Sequence, residues 1–412
     1  MRTLIKSALI FDKRSTSHGK TRDILIEDNI IIKIGVKLTT QSDRVIQGKK
    51  IIVFPGAVDL RANFRDPGHE EKEDLNSGLE AAKAGGFKYV VSMPSTNPVV
   101  DNKSAVEYLI RKSQQHSTIL LPAGSLSAKM EGKQLAEMYD MQSSGAIAFT
   151  DDKKNVSTEM MVRALEYSSS IGALIMSFPF DPGVNPGGLI NEGKYSVETG
   201  MKGLSNISEE VRLSRDIELL RYCGGSLHVS LISTAGSVDK IRKAKKEGLN
   251  ITCSIAAHQL LYTDADLTNF DSNLKVIPPF RSKTDQKALI NGLKDGTIDA
   301  ICSDHSPEDH EHKVLEFEYA AFGISSIQTA ILSSISSLED IIPLEDIIEK
   351  FTTAPASIIG LEYNTIAEGE SASLSIIDLA TEQTLGRENW KSKSPFNPLF
   401  GKTIKGYVVD VI

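Results

Sequence analysis

The chain has 412 residues, of which 40% are hydrophobic and 24% are charged. This is the balance of an ordinary globular protein, and the length favours one large domain with an accessory part over a single small core. The formal net charge of −8 and the lack of any long basic run argue against binding to nucleic acid or to an anionic membrane.

The N-terminal segment and the cysteines indicate the compartment in which the chain works. Residues 1–10 lack the long apolar core and the small-residue cleavage site of a signal peptide. No apolar run reaches the ~18 residues that a membrane helix needs. Cys223, Cys253 and Cys302 are scattered among apolar residues, which is typical of buried free thiols in a reducing compartment. We therefore expect a cytoplasmic protein without a membrane segment.

Both ends of the chain are predicted to form short β-strands. Near the N-terminus, apolar and polar residues alternate over Leu4–Phe11 and Asp23–Gly35, with a polar connector between them. Near the C-terminus, Ala372–Leu379 and Thr403–Ile412 are further strand candidates. Because these strands flank a long middle section, we predict one small composite β domain, of the β-sandwich type, assembled from both termini.

The middle section repeats a strand-then-helix pattern. Short apolar runs are spaced along it, and most precede a helical pattern such as Glu73–Ala84 or Asn102–Gln115. The runs lie at 55–60, 88–93, 118–124, 146–149, 173–178, 226–232, 250–255 and 299–302. An uninterrupted series of this kind predicts an α/β fold with a (β/α)8, TIM-type barrel over residues 55–364, rather than a doubly wound open sheet. The composite β domain then comprises residues 1–54 and 365–412.

Several motifs follow the predicted strands, where a barrel of this type places its chemistry. Residues 55–68 read PGAVDLRANFRDPG, and residues 93–98 read MPSTNP. Residues 149–152 read FTDD, residues 275–281 read KVIPPFR and residues 303–308 read SDHSPE. In order and spacing these motifs resemble those of type I dihydroorotases, members of the amidohydrolase superfamily, over nearly the whole chain.

The resemblance implies a zinc enzyme of pyrimidine biosynthesis that interconverts N-carbamoyl-aspartate and dihydroorotate, but the family's zinc-ligand histidines are missing. The two expected on the first barrel strand are Arg61 and Asn63. A third falls at Ser177 or Phe178, and the fourth at Leu231. A guanidinium has only donors, leucine has no ligand atom, and an Asn carbonyl is a poor zinc ligand beside imidazole.

The acidic positions of the family motif are retained. By the resemblance, Asp151 stands at the metal-bridging position, and Asp304 at the position of the metal ligand and general base. A catalytic zinc usually has three protein ligands, and two carboxylates alone form at best a weak site for a hard cation. We therefore predict no metal cofactor. Without the metal, the activated water of the family is lost as well.

The positions that hold substrate in the family have also changed. Arg65, at the carboxylate-binding position, is retained. Ser95 and Ile277 each stand where the family has asparagine, and Glu308 stands where it has histidine. A carboxylate at position 308 would repel an anionic substrate. The sequence therefore departs from the family in both its metal ligands and its substrate contacts.

Arg61 and Arg65 are each open to two interpretations. Arg61 is either a new catalytic or anion-binding residue, or a cation that fills the emptied metal cavity and pairs with Asp151 or Asp304. We favour the second, because a pair of buried carboxylates needs a cation once the metal is gone. Arg65 either still binds an anionic ligand or forms an ion pair with a neighbouring acid.

The histidines near these motifs have structural explanations. His258 and His305 match no zinc-ligand position, so we interpret them as structural residues. Residues 309–312 read DHEH and contain a new His-x-His spacing from which a replacement metal site could be built. We favour the interpretation that this segment is a solvated charged loop.

Our leading hypothesis is a catalytically inactive dihydroorotase homologue with a structural or regulatory role. The resemblance implies aspartate carbamoyltransferase as its partner and a homodimer as its own state. The alternative is a working cyclic-amide hydrolase whose rebuilt site uses Asp151, Asp304 and the histidines at 305, 310 and 312. A third hypothesis is a ligand-sensing module that binds carbamoyl-aspartate or a nucleotide precursor through Arg65 without turnover.

Overall fold

The structure, a computed structural model, describes residues 1–362 and 364–412. The strands in this part of the chain are β1 (Arg2–Ile10), β2 (Thr21–Glu27), β3 (Ile30–Gly35), β4 (Arg44–Ile46), β5 (Ile51–Pro55), β6 (Ala57–Ala62), β7 (Phe87–Ser92), β8 (Ile119–Gly124), β9 (Ala148–Phe149), β10 (Leu174–Ser177), β11 (Ile190–Asn191), β12 (Gly203–Leu204), β13 (Ser226–Val229), β14 (Ile251–Ala256), β15 (Ala300–Cys302), β16 (Leu374–Thr384) and β17 (Thr403–Val411). The α-helices are α1 (Leu75–Ala84), α2 (Lys103–Ser113), α3 (Met138–Ser143), α4 (Thr158–Ile171), α5 (Lys194–Thr199), α6 (Asn206–Cys223), α7 (Ala235–Lys246), α8 (Lys283–Lys294), α9 (His310–Lys313), α10 (Ala330–Leu338), α11 (Leu344–Glu349) and α12 (Thr353–Ile358).

Strands from the two ends of the chain share one sheet. Its order is β17-β16-β5-β1-β2-β3, and β4 pairs with β1 beside this path. Strand β16 runs antiparallel to β5, so that Leu374 lies opposite Pro55 at the junction with the barrel. Buried isoleucine and valine side chains from both ends, among them Ile5 and Val53, form a core of their own under this sheet. This sheet is the β-rich part that accompanies the barrel.

The predicted strand Asp23–Gly35 is in fact a hairpin of β2 and β3. The strands are antiparallel and are joined through Asp28 and Asn29. Both residues have positive φ angles, 46° and 65°, which is the backbone of a tight two-residue turn that Asp and Asn tolerate. The single-strand prediction was wrong because the turn carries no glycine or proline to mark it.

The middle of the chain forms a nearly closed parallel barrel. Its strands lie in the order β6, β7, β8, β9, β10, β13, β14 and β15. The ends of the series meet where Ala62 pairs with His305 in a parallel bridge. There, the Asn63 backbone N–H also donates to the His305 carbonyl at 2.8 Å. The predicted α/β fold with a (β/α)8 barrel is therefore confirmed, and the open doubly wound sheet is excluded.

Small and branched side chains fill the inside of the barrel. Val58, Val91, Ala123, Ala256 and Ala300 are all buried there in one cluster. A packed interior leaves the polar side chains at the carboxyl ends of the strands to meet above it. Among residues 1–362 and 364–412, no helix combines the length and the apolarity that a membrane crossing requires.

Candidate functional site

Arg61 occupies the centre of the barrel mouth. Its side chain projects from β6 and is buried, with 3% of the residue exposed. The guanidinium Nε donates to Oδ1 of Asp304, which follows β15, at 3.0 Å. An Nη of the same group donates to Asp152, which follows β9. One arginine therefore bridges two carboxylates that come from strands on different sides of the barrel.

Lys153 completes a compact charge cluster around Arg61. Its Nζ lies 3.2 Å from Oδ1 of Asp304, so the cluster holds two cations and two carboxylates. The ring of Phe178 lies close to both cations, with its centroid 5.9 Å from Arg61 Cζ and 6.0 Å from Lys153 Nζ. The four charges balance one another under an apolar cover, which is the condition under which buried ions are tolerated.

The cluster changes the titration of its members. Burial disfavours the charge of Arg61, but the carboxylates of Asp152 and Asp304 outweigh it and raise the pKa of the guanidinium. Burial would raise the pKa of Asp152, yet Arg61 and Lys153 lower it overall. Burial lowers the pKa of Lys153, against the attraction of Asp304. The Arg61–Asp152 pair is thus charged at neutral pH.

Of the two partners predicted for Arg61, Asp304 is found and Asp151 is wrong, because the neighbouring Asp152 takes its place. Asp151 faces away from the centre and accepts hydrogen bonds from the backbone N–H groups of Leu126 and Ser127, both at 2.9 Å, and from the Ser127 hydroxyl. Burial raises the pKa of Asp151. Asp152, with a left-handed φ of 52°, is the residue that contacts Arg61. The alternative of an Arg61–Asp304 pair is the one that the structure contains.

Asn63 and Ser95 form a short chain of hydrogen bonds that ends on Asp152. The Asn63 amide donates to the Ser95 hydroxyl at 2.7 Å, and that hydroxyl donates to Asp152. The Asn63 carbonyl oxygen accepts from the Arg65 backbone N–H at 3.0 Å. Both ends of the amide are therefore engaged inside the protein, and the Ser95 hydroxyl is committed to a neighbouring side chain.

Arg65 forms an ion pair within the chain. Its Nη2 donates to Oε1 of Glu308 at 2.7 Å, and its Nε donates to the Pro307 carbonyl at 3.1 Å. The other oxygen of Glu308 accepts from Lys72 Nζ at 2.6 Å. Of the two predicted roles of Arg65, ligand binding or an ion pair with a neighbouring acid, the structure shows the ion pair. The guanidinium of Arg65 is thus bonded to groups of the protein itself, the Glu308 carboxylate and the Pro307 carbonyl.

Three other residues stand at or near zinc-ligand positions by the resemblance, and none of them presents a free metal-binding atom: Ser177, Phe178 and Leu231. The Ser177 hydroxyl donates to Asp216 at 2.5 Å. Phe178 packs against Phe180, with ring centroids 5.9 Å apart. Leu231 is buried in the barrel core with 1% of the residue exposed. These side chains contribute packing and a local hydrogen bond.

The histidines near the mouth are placed apart from Arg61. His305 Nδ1 accepts from the Ser326 backbone N–H at 3.2 Å, and its Nε2 lies 3.4 Å from buried Glu73. His312 Nδ1, on α9, lies 2.8 Å from Asp309, which precedes that helix, and the His310 ring faces Phe396. These contacts are internal to the 305–312 loop and its neighbours, and they do not direct the rings toward the centre.

His258 differs from these histidines in its contacts. The described residues provide no hydrogen-bond partner for either of its ring nitrogens. Burial lowers its pKa to about 4. Its ring stands edge-on to Phe280 at 5.5 Å between centroids. Asp304 and Lys153 also act on this pKa, so the ring lies near the central cluster, and its structural role stays a prediction.

These donors do not fit a zinc ion. In the part of the chain that the structure describes, no three His, Cys, Asp or Glu side chains form a group that could hold a metal. The two carboxylates nearest the centre already bind Arg61 and Lys153. A catalytic zinc requires about three protein ligands and an open position. Here the guanidinium of Arg61 occupies the space between the carboxylates of Asp152 and Asp304.

Comparison with solved structures defines the class of the fold. The L-hydantoinase (dihydropyrimidinase) from Arthrobacter aurescens superposes with a TM-score of 0.85 at 20% identity, covering 100% of this chain and 94% of that one. A D-hydantoinase matches with a TM-score of 0.84 at 22% identity over the same shares of the two chains. The fold is therefore the one that these hydantoinase structures share, a parallel α/β barrel with a β-rich part beside it.

Sequence comparison narrows the class to a family. A family model described as dihydro-orotase-like matches residues 49–237. The dihydroorotase of Syntrophus aciditrophicus (strain SB) is 38% identical over 414 aligned positions, covering 99% of this chain and 97% of the relative. The dihydroorotase of Aquifex aeolicus (strain VF5) is 37% identical and covers 100% of this chain and 98% of its own length. The chain belongs to the dihydroorotase family.

Proposed function

We propose that this chain is a non-catalytic member of the dihydroorotase family, retained as a structural or regulatory partner of aspartate carbamoyltransferase in pyrimidine biosynthesis. The observation that carries the proposal is the position of Arg61, bonded to both Asp152 and Asp304 at the centre of the barrel mouth. An arginine in this place disfavours metal binding in two ways. Its positive charge repels a metal ion, and it already binds the two carboxylates that could have been ligands.

The charge of Arg61 disfavours a divalent metal. Guanidinium is protonated at any physiological pH. Two unit charges 4 Å apart interact by ~4 kcal/mol at an effective dielectric constant of ~20, so a divalent cation at that distance meets roughly twice this repulsion. Loss of the histidine ligands removes the attraction that would offset it. Without a metal to lower the pKa of water from about 15.7 to about 7, no hydroxide forms at neutral pH.

The substrate contacts support the same conclusion. The family's substrates are carboxylates, and the one retained arginine at a substrate position, Arg65, is bonded to Glu308. Lys72 holds the second oxygen of Glu308, so the internal anion is fixed from both sides. An external carboxylate would have to displace a tethered one that has two charge-assisted hydrogen bonds.

The proposal of a partner rests on family resemblance and on the retention of an intact scaffold without its ligand set. Non-catalytic members of this family associate with aspartate carbamoyltransferase, the preceding enzyme of the pathway. The same resemblance supports a homodimer, which sedimentation equilibrium would test.

The test is to mix the purified chain with the transferase of the same organism and to measure both association and turnover. We expect a complex on gel filtration, and no hydrolysis of dihydroorotate by the chain alone or by the complex with added zinc. The dihydroorotase of Syntrophus aciditrophicus, assayed in parallel, verifies the assay. Turnover by the chain would refute inactivity, and separate elution of the two proteins would refute the partnership.

A further inference from the structure

An exposed apolar groove lies between the segments that precede β11 and β12 and the loop that follows α9. It encloses about 880 Å³, and its lining includes Leu189 and Met201. Three large side chains in the groove are exposed to solvent, Tyr319 by 70%, Phe270 by 49% and Leu315 by 45%. Grouped apolar side chains of this size on a water-facing surface are characteristic of a binding site for another protein.

Two buried lysines hold one wall of this groove. Lys313 Nζ donates to the carbonyls of Ala321 at 3.0 Å and Gly323 at 2.6 Å. Lys275 Nζ donates to the carbonyls of Phe317 at 2.6 Å and Glu318 at 2.8 Å. The Lys313 bonds close the 313–323 loop on itself, and the Lys275 bonds tie it to a neighbouring segment, so Leu315 and Tyr319 lie on a braced backbone. A preorganised surface loses little conformational entropy when a partner binds.

The charged side chains on this wall of the groove indicate which kind of partner would bind there. Glu316 and Glu318 are exposed and flank Phe317, and neither carboxylate forms a salt bridge with any residue that the structure describes. The one lysine in the lining, Lys202, donates to the Pro186 carbonyl. The groove therefore combines apolar side chains with two carboxylates against one ammonium group, an excess of negative charge in its lining. Its complement is an apolar segment that carries arginine or lysine.

We propose that this groove is the surface on which aspartate carbamoyltransferase docks, through a segment that presents an apolar side chain flanked by basic residues; this assignment rests on the proposed function. A second copy of this chain is a poorer occupant, because its formal net charge is −8. Tyr319, Leu315 and Phe270 supply the apolar contact, and Glu316 and Glu318 supply the charge.

The test is calorimetric titration of the transferase into the wild-type chain and two groove variants. The double variant Leu315→Asp/Tyr319→Asp removes the apolar contact, and Glu316→Lys/Glu318→Lys reverses the charge. All four side chains are exposed, so the variants are expected to keep the wild-type Tm. The matched controls are Tyr222→Asp, at a tyrosine that is 80% exposed at the end of α6, and Glu166→Lys, on the exposed face of α4.

We expect each groove variant to weaken binding by at least about tenfold, as for residues at the centre of an interface, and each control to bind as the wild type does. Higher salt should weaken wild-type binding more than binding by the charge-reversed variant. Groove variants that bind normally would overturn the docking surface and leave the partnership standing. Loss of self-association in those variants would assign the groove to a second copy instead. Failure of the wild type to bind would refute the partnership and, with it, this assignment.

Discussion

Arg61 Nε and Asp304 Oδ1 lie 3.0 Å apart, although their residues are 243 positions apart in the chain. They come from the first and last strands of the barrel, where the sheet closes on itself. The pair therefore lies at the point where the barrel closes. The same two positions hold a histidine and a carboxylate in the family's metal site, by the sequence resemblance. Here they form an ion pair that needs no metal.

Replacement of Arg61 by methionine is expected to destabilise the protein strongly. Met keeps much of the volume but leaves Asp152 and Asp304 buried with only Lys153 as a cation. Removing one partner of a buried ion pair costs about 3–5 kcal/mol. Urea denaturation at pH 7 measures this loss in the free energy of unfolding.

The control for that experiment is Arg163→Met on α4. Arg163 is 56% exposed in its side chain and pairs with Glu159, so we expect a change of less than about 1 kcal/mol. If the Arg61 variant were as stable as the Arg163 variant, the charge cluster would not be the structural replacement described above.

Replacement of Glu308 by glutamine is expected to release an anion site. The variant removes the charge that Arg65 and Lys72 share, and both cations then face the mouth without their internal partner. Millimolar N-carbamoyl-aspartate should raise the Tm of this variant and leave the wild type unchanged, because only binding to the native state stabilises it. Differential scanning fluorimetry is the measurement.

The matched control is Glu311→Gln, which changes an exposed carboxylate three residues along the same loop. It should behave as the wild type does. An equal Tm shift in wild type and in Glu308→Gln would show that Arg65 is available to ligands, which favours the sensing hypothesis.

Stability is expected to decline in mild acid because of His258. Burial lowers the pKa of this imidazole from about 6.5 to about 4 in the folded protein. The unfolded chain therefore binds more protons than the native chain between these values, and stability falls as the pH drops from about 6.5 to about 4. At ~1.4 kcal/mol per unit, the loss amounts to roughly 3 kcal/mol.

Urea denaturation between pH 7 and pH 4 measures this decline. His258→Gln should remove the share that His258 contributes and leave that of His228, a second buried imidazole whose pKa burial lowers to about 3. His310→Gln, at an exposed histidine on α9, should leave the slope unchanged. A decline of the same steepness in the His258 variant would assign the acid sensitivity to other groups.

The barrel could be predicted because its signals are local. Each strand is a short run of apolar residues, and the helices after it follow a different period, so the eight units are visible along the chain. The hairpin at Asp28 and Asn29 was missed because its turn depends on two left-handed backbone conformations in residues that also occur in ordinary loops.

The centre of the site could be predicted in part. The resemblance placed Arg61 at a metal-ligand position, and the need of buried carboxylates for a cation left Asp151 or Asp304 as its partner, of which Asp304 is found. Asp152 and Lys153 were missed, because whether Asp151 or Asp152 faces inward depends on the local turn and not on the motif. The ion pair between Arg65 and Glu308 joins residues 243 positions apart. The sequence shows that both side chains are charged, but it does not show that they lie within bonding distance.

The most direct test of the central claim is the zinc content of the protein after saturation. The chain is incubated with excess zinc, freed of loose metal by gel filtration and analysed for elements, and dihydroorotate hydrolysis is assayed in the same sample. The account predicts far less than one zinc per chain and no turnover. One zinc per chain together with turnover would contradict it and would mean that a working metal site exists despite Arg61.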